Sequence, residues 1–282
     1  MKLSRDQVKT SFAKAATSYN DAAVVQKEIL VRLLDKLKAL QQDPVDILLD
    51  MGSGTGLASE LLREHYGDNS YYAIDFALPM LAWAKSENKA NYQYAVCGDV
   101  ESLPFKDSSL DIIFSASTLQ WCNDVGVAFQ QSCRALKEQG LLLFSSFGPD
   151  TLKELRHCFA QVDDHPHVSS FIDMQSLGDG LLASGFESPV MESEIITVEY
   201  SDPMQLLRDL QDTGATNHLE QRTRGLMTKT RLNDAVQEYK KFRLPNGKYP
   251  ASYEVLYGHG RKLSLLQSAQ NSASEWQPVR FK

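Results

Sequence analysis

The chain has 282 residues, of which 43% are hydrophobic and 23% charged, and its formal net charge is −7. This is ordinary globular composition, enough to bury a sizeable core in one or two domains. No apolar run approaches the roughly 18 residues that span a bilayer, and the N-terminus has no apolar core of a secretory signal, so we expect neither feature.

The four cysteines show neither a Cys-x-x-Cys pair nor metal-ligand spacing, and they are Cys97, Cys122, Cys133 and Cys158. We expect them to be reduced and mostly structural. The sequence therefore predicts a cytoplasmic protein without a metal site.

The first predicted helix covers 20–40, where apolar residues recur at steps of three and four, and Asp43-Pro44 ends it. Phe12 and Tyr19 precede this helix and are separated by about two helical turns. We expect residues 1–43 to form an N-terminal helical cap.

Strands and helices alternate from Val45 to Gly148. Strands are predicted at 45–50, 71–75, 92–96, 110–115 and 141–147, and helices at 57–66, 78–85 and 125–136. Such alternation indicates a parallel sheet with right-handed crossovers, so 45–150 is the predicted cofactor-binding core.

The later chain is less regular. Helices are predicted at 151–162, 176–184, 203–214 and 230–242, and strands at 190–200 and 252–257. The tail 263–282 is polar and aperiodic and is expected to fray, which leaves a single domain over 1–262.

A glycine-rich turn follows the first strand in the stretch VDILLDMGSGTGL. A buried run ends in Asp50, three glycines follow at alternate positions (Gly52, Gly54 and Gly56), and a helical pattern then begins. Glycine permits positive φ and close approach of a ligand, and a helix N-terminus offers free N–H groups. The turn predicts a nucleotide-type site.

The same stretch indicates which nucleotide is bound. The dinucleotide fingerprint is G-x-G-x-x-G, whereas the third glycine here comes one residue early. A carboxylate at Asp50 would repel a pyrophosphate but would suit an ammonium or sulfonium group. We therefore predict S-adenosylmethionine rather than NAD.

Further acceptors fall at the ends of the next strands. Asp75 ends strand two, where a carboxylate holds a ribose diol, and Phe76 follows as an apolar wall. Asp99, beside Val100, is placed to accept from an adenine amino group, and Gln120 follows strand four. Together with the glycine turn, these residues are the predicted cofactor site.

The stretches LLDMGSGTG, YYAIDF, CGDVESLPF and LDIIFSASTLQW resemble, in order and spacing, the motifs of class I methyltransferases. The resemblance implies a Rossmann-like α/β fold with helices on both faces of a seven-stranded, mostly parallel sheet. The last hairpin would be antiparallel, with 190–200 and 252–257 as its strands. The insertion between them, 203–250, would form a helical lid.

Over nearly its whole length the chain also resembles the malonyl-carrier-protein O-methyltransferases of biotin synthesis. The resemblance rests on the stretches ESLPF, STLQWCND, TLKELRHCF, VDDHPHVSSF, RDLQDTGATN and GKYPASYEVLYG. It implies methyl transfer to the free carboxylate of a malonyl thioester on acyl carrier protein, or on CoA. The product would be S-adenosylhomocysteine and a methyl ester that enters pimeloyl synthesis.

A carboxylate acceptor is already ionised at neutral pH, because its reference pKa is about 4, so no general base is required. The sequence shows no obvious His–Asp pair that would act as one. His157, His165 and His167 are expected on the surface or in loops.

Arg208 and Tyr19 are the predicted catalytic residues. Arg208 lies just before the TGATN stretch, and a guanidinium suits a carboxylate. Tyr19 would close the pocket with its hydroxyl. Asn217, Tyr249 and Tyr253 are weaker candidates for contacts to the acceptor.

The segment 222–262 holds ten Lys/Arg and three Asp/Glu, so it carries +7 while the remainder of the chain carries −14. Either this is an uneven solvated surface, or it is a docking face for an acidic partner such as acyl carrier protein. Neither nucleic acid nor membrane is an expected partner.

Three alternatives stay open at this point. The chain could methylate another small carboxylate or a quinone precursor, although a carbon or phenol acceptor would need a base. It could bind S-adenosylmethionine only as an assembly partner. An NAD-dependent oxidoreductase is disfavoured by the glycine spacing and Asp50.

Overall fold

The computed structural model describes residues 3–40, 44–67, 69–87, 91–215 and 228–264. The helices in these ranges are α1 (Arg5–Ala15), α2 (Tyr19–Ala22), α3 (Val24–Leu40), α4 (Ser59–Tyr66), α5 (Leu78–Ser86), α6 (Val125–Ala135), α7 (Lys153–Ala160), α8 (Met174–Ala183), α9 (Pro203–Asp212) and α10 (Lys229–Tyr239). Short 3₁₀ helices lie at Val100–Ser102, Leu119–Trp121 and Lys240–Phe242.

Seven strands form one sheet, and they are β1 (Ile47–Met51), β2 (Ser70–Asp75), β3 (Tyr94–Cys97), β4 (Leu110–Ser115), β5 (Leu136–Phe147), β6 (Phe186–Tyr200) and β7 (Tyr249–Lys262). Their order is β3-β2-β1-β4-β5-β7-β6. Strands β1 to β5 are parallel, whereas β7 is antiparallel to both β5 and β6. This confirms the predicted fold.

The sheet is covered on both faces, because successive side chains of a strand point to opposite sides. Leu48 of β1 belongs to the apolar cluster that packs against α3, α7, α9 and α10. Its neighbour Leu49 belongs to the cluster that packs against α6 and α8. Both leucines are almost fully buried, which explains why β1 reads as a continuous apolar run.

The structure differs from the sequence predictions in the N-terminal segment and at the start of β5. Phe12 lies in α1 and Tyr19 in α2, so a turn at 16–18 separates them rather than two turns of one helix. Strand β5 begins at Leu136, not at 141, because the exposed stretch before Gly140 joins the sheet through an irregular register, with Gln139 at φ +60°. The polar residues of this stretch are typical of a loop, so the sequence pattern did not predict a strand there.

The hairpin of β6 and β7 is longer than predicted, and α9 and α10 are inserted between its strands. Helices α1 and α2 precede the sheet and meet the ends of the parallel strands. Among the described residues, no helix has both the length and the apolar character that crossing a membrane requires.

Candidate active site

The glycine turn after β1 lines a cavity at the carboxyl edge of the parallel strands. The N–H of Gly52 donates to the carbonyl of Ile74 at 2.8 Å. Gly52 has φ +82°, and a Cβ there would lie 2.0 Å from Oγ1 of Thr118, so only glycine fits. Gly54 also lines the cavity, whereas Gly56 lies behind it and bonds back into the turn.

Asp75, at the end of β2, lies in the cavity wall where the sequence predicted it. Its Oδ2 accepts the N–H of Gly54 at 2.9 Å and its Oδ1 accepts the N–H of Ala77 at 2.8 Å. Burial raises the pKa of Asp75 to about 6, although these two hydrogen bonds lower it. Each carboxylate oxygen keeps accepting capacity, so the pair suits the two hydroxyl donors of a ribose.

Asp99 and Val100 also line the cavity, together with Arg5, which the sequence reasoning missed. The Arg5 Nη2 atom lies 2.5 Å from Oδ1 of Asp99 and also pairs with Glu101. Asp99 caps the following 3₁₀ helix by accepting the N–H of Glu101 at 2.9 Å. Arg5 is 94 residues from Asp99, so no local pattern could have revealed the pair.

Four aromatic side chains form the apolar wall of this cavity, and they are Phe12, Tyr19, Phe76 and Trp121. The Phe12 ring is central, with centroids 6.4 Å from Tyr19, 6.4 Å from Phe76 and 5.2 Å from Trp121. Burial, and then the charge of Asp75, raise the pKa of Tyr19 well above its usual range. Its hydroxyl therefore stays protonated and can donate a hydrogen bond.

Asp50 and Gln120 lie outside the cavity wall, contrary to expectation. Asp50 is buried in β1 and accepts the hydroxyl of Tyr71 at 3.0 Å. Burial raises the pKa of Asp50 to about 7, so its repulsion of a pyrophosphate is weaker than the sequence argument assumed. Gln120 turns inward and donates to the carbonyl of Ser117 at 2.8 Å.

Two buried oxygens beside the cavity have no hydrogen-bond partner among the described residues: Oγ of Ser53 and Oε1 of Gln120. Both belong to turns whose neighbouring residues, Gly52 and Ser117, line the cavity. Such orphaned groups fit an ammonium donor of a ligand. The buried acid, the glycine cradle and these acceptors therefore suit S-adenosylmethionine.

A second cavity, with a volume of about 370 Å³, shares Trp121 with the first. Its wall is mainly apolar and comes from α3, α7, the loop before α8, α9 and β7. The residues that give it this character include Val25, Phe147, Leu152, Leu155, Phe159, Phe171, Met204 and Leu207. Trp121 is the lining residue common to both cavities, so the two cavities are neighbours.

Arg208 of α9 lines this second cavity, as does Tyr253 of β7. Among the described residues no hydrogen bond or salt bridge to the Arg208 side chain is seen, although its charge acts to lower the pKa of the adjacent Asp209. Its neighbour Asp209 is hydrogen bonded to Tyr200, which also bonds Tyr253. A guanidinium is therefore available to an acidic ligand.

The remaining predicted contacts lie elsewhere. Tyr249 pairs with Tyr200 at the start of β7 and does not line the second cavity. Asn217 lies outside the described residues.

The structure contains a His–Asp pair that was not obvious from the sequence. Nε2 of His167 lies 2.7 Å from Oδ1 of Asp163, and the His167 ring lines the second cavity. Both residues belong to the loop between α7 and α8, so this histidine is in a loop as predicted but is not merely a surface residue. The spacing D-x-x-x-H in VDDHPHV was the available signal.

The basic segment does not form one surface. Arg261 and Lys262 are at the far end of β7, where they donate to carbonyls such as those of Gln139 and Leu136 at 2.7 Å. The rest of the described cations belong to α10 and the chain that follows, and they are Lys229, Arg231, Lys240, Lys241, Arg243 and Lys248. We call these six residues the α10 basic surface.

Residues 49–144 match the family model described as a methyltransferase domain. A malonyl-[acyl-carrier protein] O-methyltransferase of Gallionella capsiferriformans is 40% identical over 267 residues, covering 92% of this chain and 91% of that protein. One from Methylovorus sp. is 39% identical and covers 99% of this chain and 95% of its own length. The solved structure of the YcgJ protein from Bacillus subtilis has a TM-score of 0.57 at 19% identity, covering 82% of this chain and 98% of that one.

Proposed function

Because this chain belongs to the malonyl-[acyl-carrier protein] O-methyltransferase family, we propose that it methylates the free carboxylate of a malonyl thioester on acyl carrier protein. The methyl donor is S-adenosylmethionine, and the ester is the one expected to enter pimeloyl synthesis for biotin. The observation that carries this assignment is the pair of cavities that meet at Trp121. One has the acceptors of a nucleoside site, and the other is apolar with a guanidinium in its wall.

In the first cavity, Asp75 would accept the ribose hydroxyls and Asp99 the adenine amino group, with Phe76 and Val100 against the base. Gly52 would let the protein backbone approach the amino-acid end of S-adenosylmethionine. When bound, S-adenosylmethionine supplies a methyl group on a positively charged sulfur. The cavity needs no phosphate site, and this agrees with its acidic lining.

The proposed catalytic work is alignment rather than proton transfer. An ionised carboxylate attacks through oxygen, the C–S bond breaks as the C–O bond forms, and the opposite charges cancel, so a dry cavity favours the step. Tyr19, Phe12 and Trp121 would exclude water at the meeting point of the cavities. The protonated Tyr19 hydroxyl would donate a hydrogen bond to the acceptor carboxylate or to the bound S-adenosylmethionine.

Arg208 is the proposed holder of the acceptor carboxylate, because its guanidinium lies in the wall of the second cavity without a described partner. A bidentate guanidinium orients a carboxylate, whereas an ammonium acts as a point charge. Arg208→Lys should therefore lower kcat/KM by about tenfold and Arg208→Ala by about a hundredfold, as one or two charged hydrogen bonds are lost.

The affinity for S-adenosylhomocysteine, measured by calorimetry, should stay unchanged in both Arg208 variants. Equal losses of cofactor affinity and turnover would contradict the assigned role. Arg208 is exposed in α9, so neither substitution should change folding, and the thermal unfolding of both variants checks this.

The function itself is tested by mass spectrometry of malonyl-acyl carrier protein and malonyl-CoA after incubation with S-adenosylmethionine. A mass gain of one CH₂ group that disappears on saponification is the expected result. No gain on either acceptor would refute the assignment. Gain on an unrelated carboxylate or a quinone precursor would favour the alternative small-molecule enzyme.

We further propose that acyl carrier protein, which is acidic, docks on the α10 basic surface, and that the enzyme is cytoplasmic. Lys240 and Lys241 are exposed and adjoin the helix that contributes Leu232 to the second cavity. Charge complementarity at such a surface acts mainly on association and is weakened by salt. The four described cysteines are free thiols, which agrees with a reducing compartment.

Charge reversal by Lys240→Glu with Lys241→Glu should raise KM for malonyl-acyl carrier protein by about tenfold and leave KM for malonyl-CoA unchanged. The matched control is Lys85→Glu with Lys106→Glu, which makes the same change in net charge on exposed residues outside the α10 basic surface. If the control has the same effect, or if both acceptors respond alike, the surface is not a docking site.

A further inference from the structure

His167 is a polar group in the second cavity for which the methyl-transfer step has no use. Its ring stacks on Phe159, with centroids 4.2 Å apart and planes 19° apart, so its orientation is fixed. Its Nε2 is engaged by Asp163 at 2.7 Å. Within the described part of the chain no residue bonds Nδ1, the other ring nitrogen.

Asp163 determines which nitrogen carries the proton. Burial raises the pKa of Asp163, but the hydrogen bonds from His167 and from the His165 N–H, together with the charges of His167 and Arg231, lower it by more, so the pKa of Asp163 is below its usual value. An ionised carboxylate only accepts hydrogen bonds, so Nε2 of His167 must donate. In the neutral ring, Nδ1 is then left with a lone pair, and the residue lines the second cavity.

The His167 side of the cavity adjoins the α10 basic surface. Nη1 of Arg231 lies 3.6 Å from Oδ2 of Asp163, and the Arg231 side chain is 47% exposed. Leu232, the next residue of α10, lines the cavity. Trp121, in contrast, belongs to the wall shared with the cofactor cavity. An acyl group that reaches Trp121 from a carrier docked at α10 would thus pass His167.

The second cavity has a volume of about 370 Å³ and draws its wall from α3, α7, α9, α10 and β7, so it extends beyond the space of a malonyl group and can receive the chain that carries it. Carrier proteins and CoA both present their acyl group on a pantetheine arm, a flexible chain with two amide N–H donors. Its methylene groups match the apolar wall, and its amides need acceptors once they leave water.

We propose that His167, oriented by Asp163, accepts an amide N–H of the pantetheine arm through Nδ1 and so selects pantetheine thioesters as acceptors. This rests on the proposed function, because it assigns a recognition residue in the same acceptor cavity. The ring does not hold the malonyl carboxylate, since a lone pair would repel it, and it is not a base, since the nucleophile has no proton to lose.

Acceptors that differ in amide content test the assignment. Malonyl-CoA carries both amide groups, whereas the malonyl thioester of ethanethiol carries none. His167→Phe keeps a ring on Phe159 and removes both nitrogens, and it should raise KM for malonyl-CoA by about tenfold, the factor expected for one hydrogen bond. KM for the ethanethiol ester and kcat for both should change by less than about twofold.

His167→Gln provides the rescue, because its amide oxygen can accept the same N–H, and it should recover most of the lost affinity. Asp163→Ala should raise KM for malonyl-CoA but less than His167→Phe does, because it frees the ring without removing it. His165→Phe, at an exposed neighbouring position, is the matched control and should have no effect. An unchanged KM in His167→Phe, or an equal rise for both acceptors, would overturn the proposal.

A readout that does not depend on turnover separates this proposal from the assigned reaction. Nitrogen-15 NMR of the labelled protein should show His167 protonated at Nε2 and unprotonated at Nδ1, and CoA should bind more weakly to His167→Phe by calorimetry. A proton on Nδ1 in the free enzyme at pH 8 would refute the acceptor role. Wild-type protein that methylates no thioester, yet shows both signatures, would refute the reaction and not the recognition.

Discussion

Cofactor binding should weaken in mild acid, because Asp75, the residue proposed to receive the ribose, is a carboxyl whose pKa lies near 6. Burial raises the pKa of Asp75 from 3.8 to about 6. Only the ionised form accepts hydrogen bonds at both oxygens while the Gly54 and Ala77 N–H groups donate to them. Ligand and proton therefore compete for the same carboxylate.

The magnitude follows from the fraction ionised. At pH 8 nearly all of Asp75 is ionised, whereas at pH 5, one unit below a pKa of about 6, about a tenth is. The dissociation constant should rise about tenfold between these values, which corresponds to roughly 1.4 kcal/mol. Methylthioadenosine is a suitable probe, because it keeps the ribose and adenine but lacks the titrating amino-acid groups.

Calorimetry across this pH range gives the result directly. Asp75→Asn should bind more weakly and show a flat profile. Asp50→Asn is the control, because Asp50 also has a raised pKa, of about 7, but lies outside the cavity wall, so the tenfold change should persist. An affinity that does not change with pH in the wild-type protein would refute the ribose assignment.

The raised pKa of Asp75 also makes the stability of the folded protein depend on pH. A raised pKa means that the folded state binds the proton more tightly than the unfolded chain, so this stability is present below pH 4 and is lost as the pH rises through about 6. For Asp75 the loss is about 3 kcal/mol, from a shift of roughly two units at 1.36 kcal/mol each. A bound ligand that donates hydrogen bonds to the ionised carboxylate offsets this loss of stability. The rise in Tm on cofactor binding should therefore be larger at pH 8 than at pH 5.

Two further predictions concern the cofactor cavity. Gly52→Ala should abolish detectable binding of S-adenosylhomocysteine in calorimetry, because the new Cβ would lie 2.0 Å from Thr118. Gly54→Ala meets open space, so its positive φ alone should weaken binding by less than about tenfold. Similar losses of affinity in the two variants would contradict the steric argument. Arg5→Gln should weaken the same binding about threefold to fivefold at low salt, in keeping with a partly exposed pair, and this difference should shrink as salt is added. A loss that is independent of salt would show that Arg5 acts through packing instead.

The sheet, and the grouping of Asp75 and Asp99 in one cavity, were largely predictable because their signals are local. An apolar strand ending in Asp75, or a glycine turn after β1, is written in a few consecutive residues, and the carboxyl ends of parallel strands meet at one edge. The element order then places Asp75 and Asp99 together without any knowledge of packing. Asp50 was misplaced because a strand position fixes the edge at which a side chain lies but not the neighbour that buries it.

The acceptor cavity was harder to predict because its wall comes from distant segments. His167 and Arg208 line the same cavity because α7, α9 and the loop before α8 pack around it. The D-x-x-x-H spacing and the position of Arg208 in the predicted lid point to each residue separately, but neither signal shows that the two share a cavity. Arg5 has the same character, since its partners are far along the chain. Sequence patterns report periodicity and turns, whereas such contacts depend on how whole elements dock.

The two cavities are joined by more than Trp121, because the N-terminal cap also touches the insertion between β6 and β7. The Ser18 hydroxyl donates to the carbonyl of Asp212 at 2.9 Å. Gly214, at φ +69°, lies so close to Ser11 that a Cβ there would be 3.1 Å from the Ser11 backbone. Tyr19 follows Ser18 directly, so the segment that lines the first cavity through Tyr19 is held by the end of α9, the helix that carries Arg208. Displacing α9 should therefore disturb cofactor and acceptor binding together, whereas loss of the Arg208 side chain alone should not.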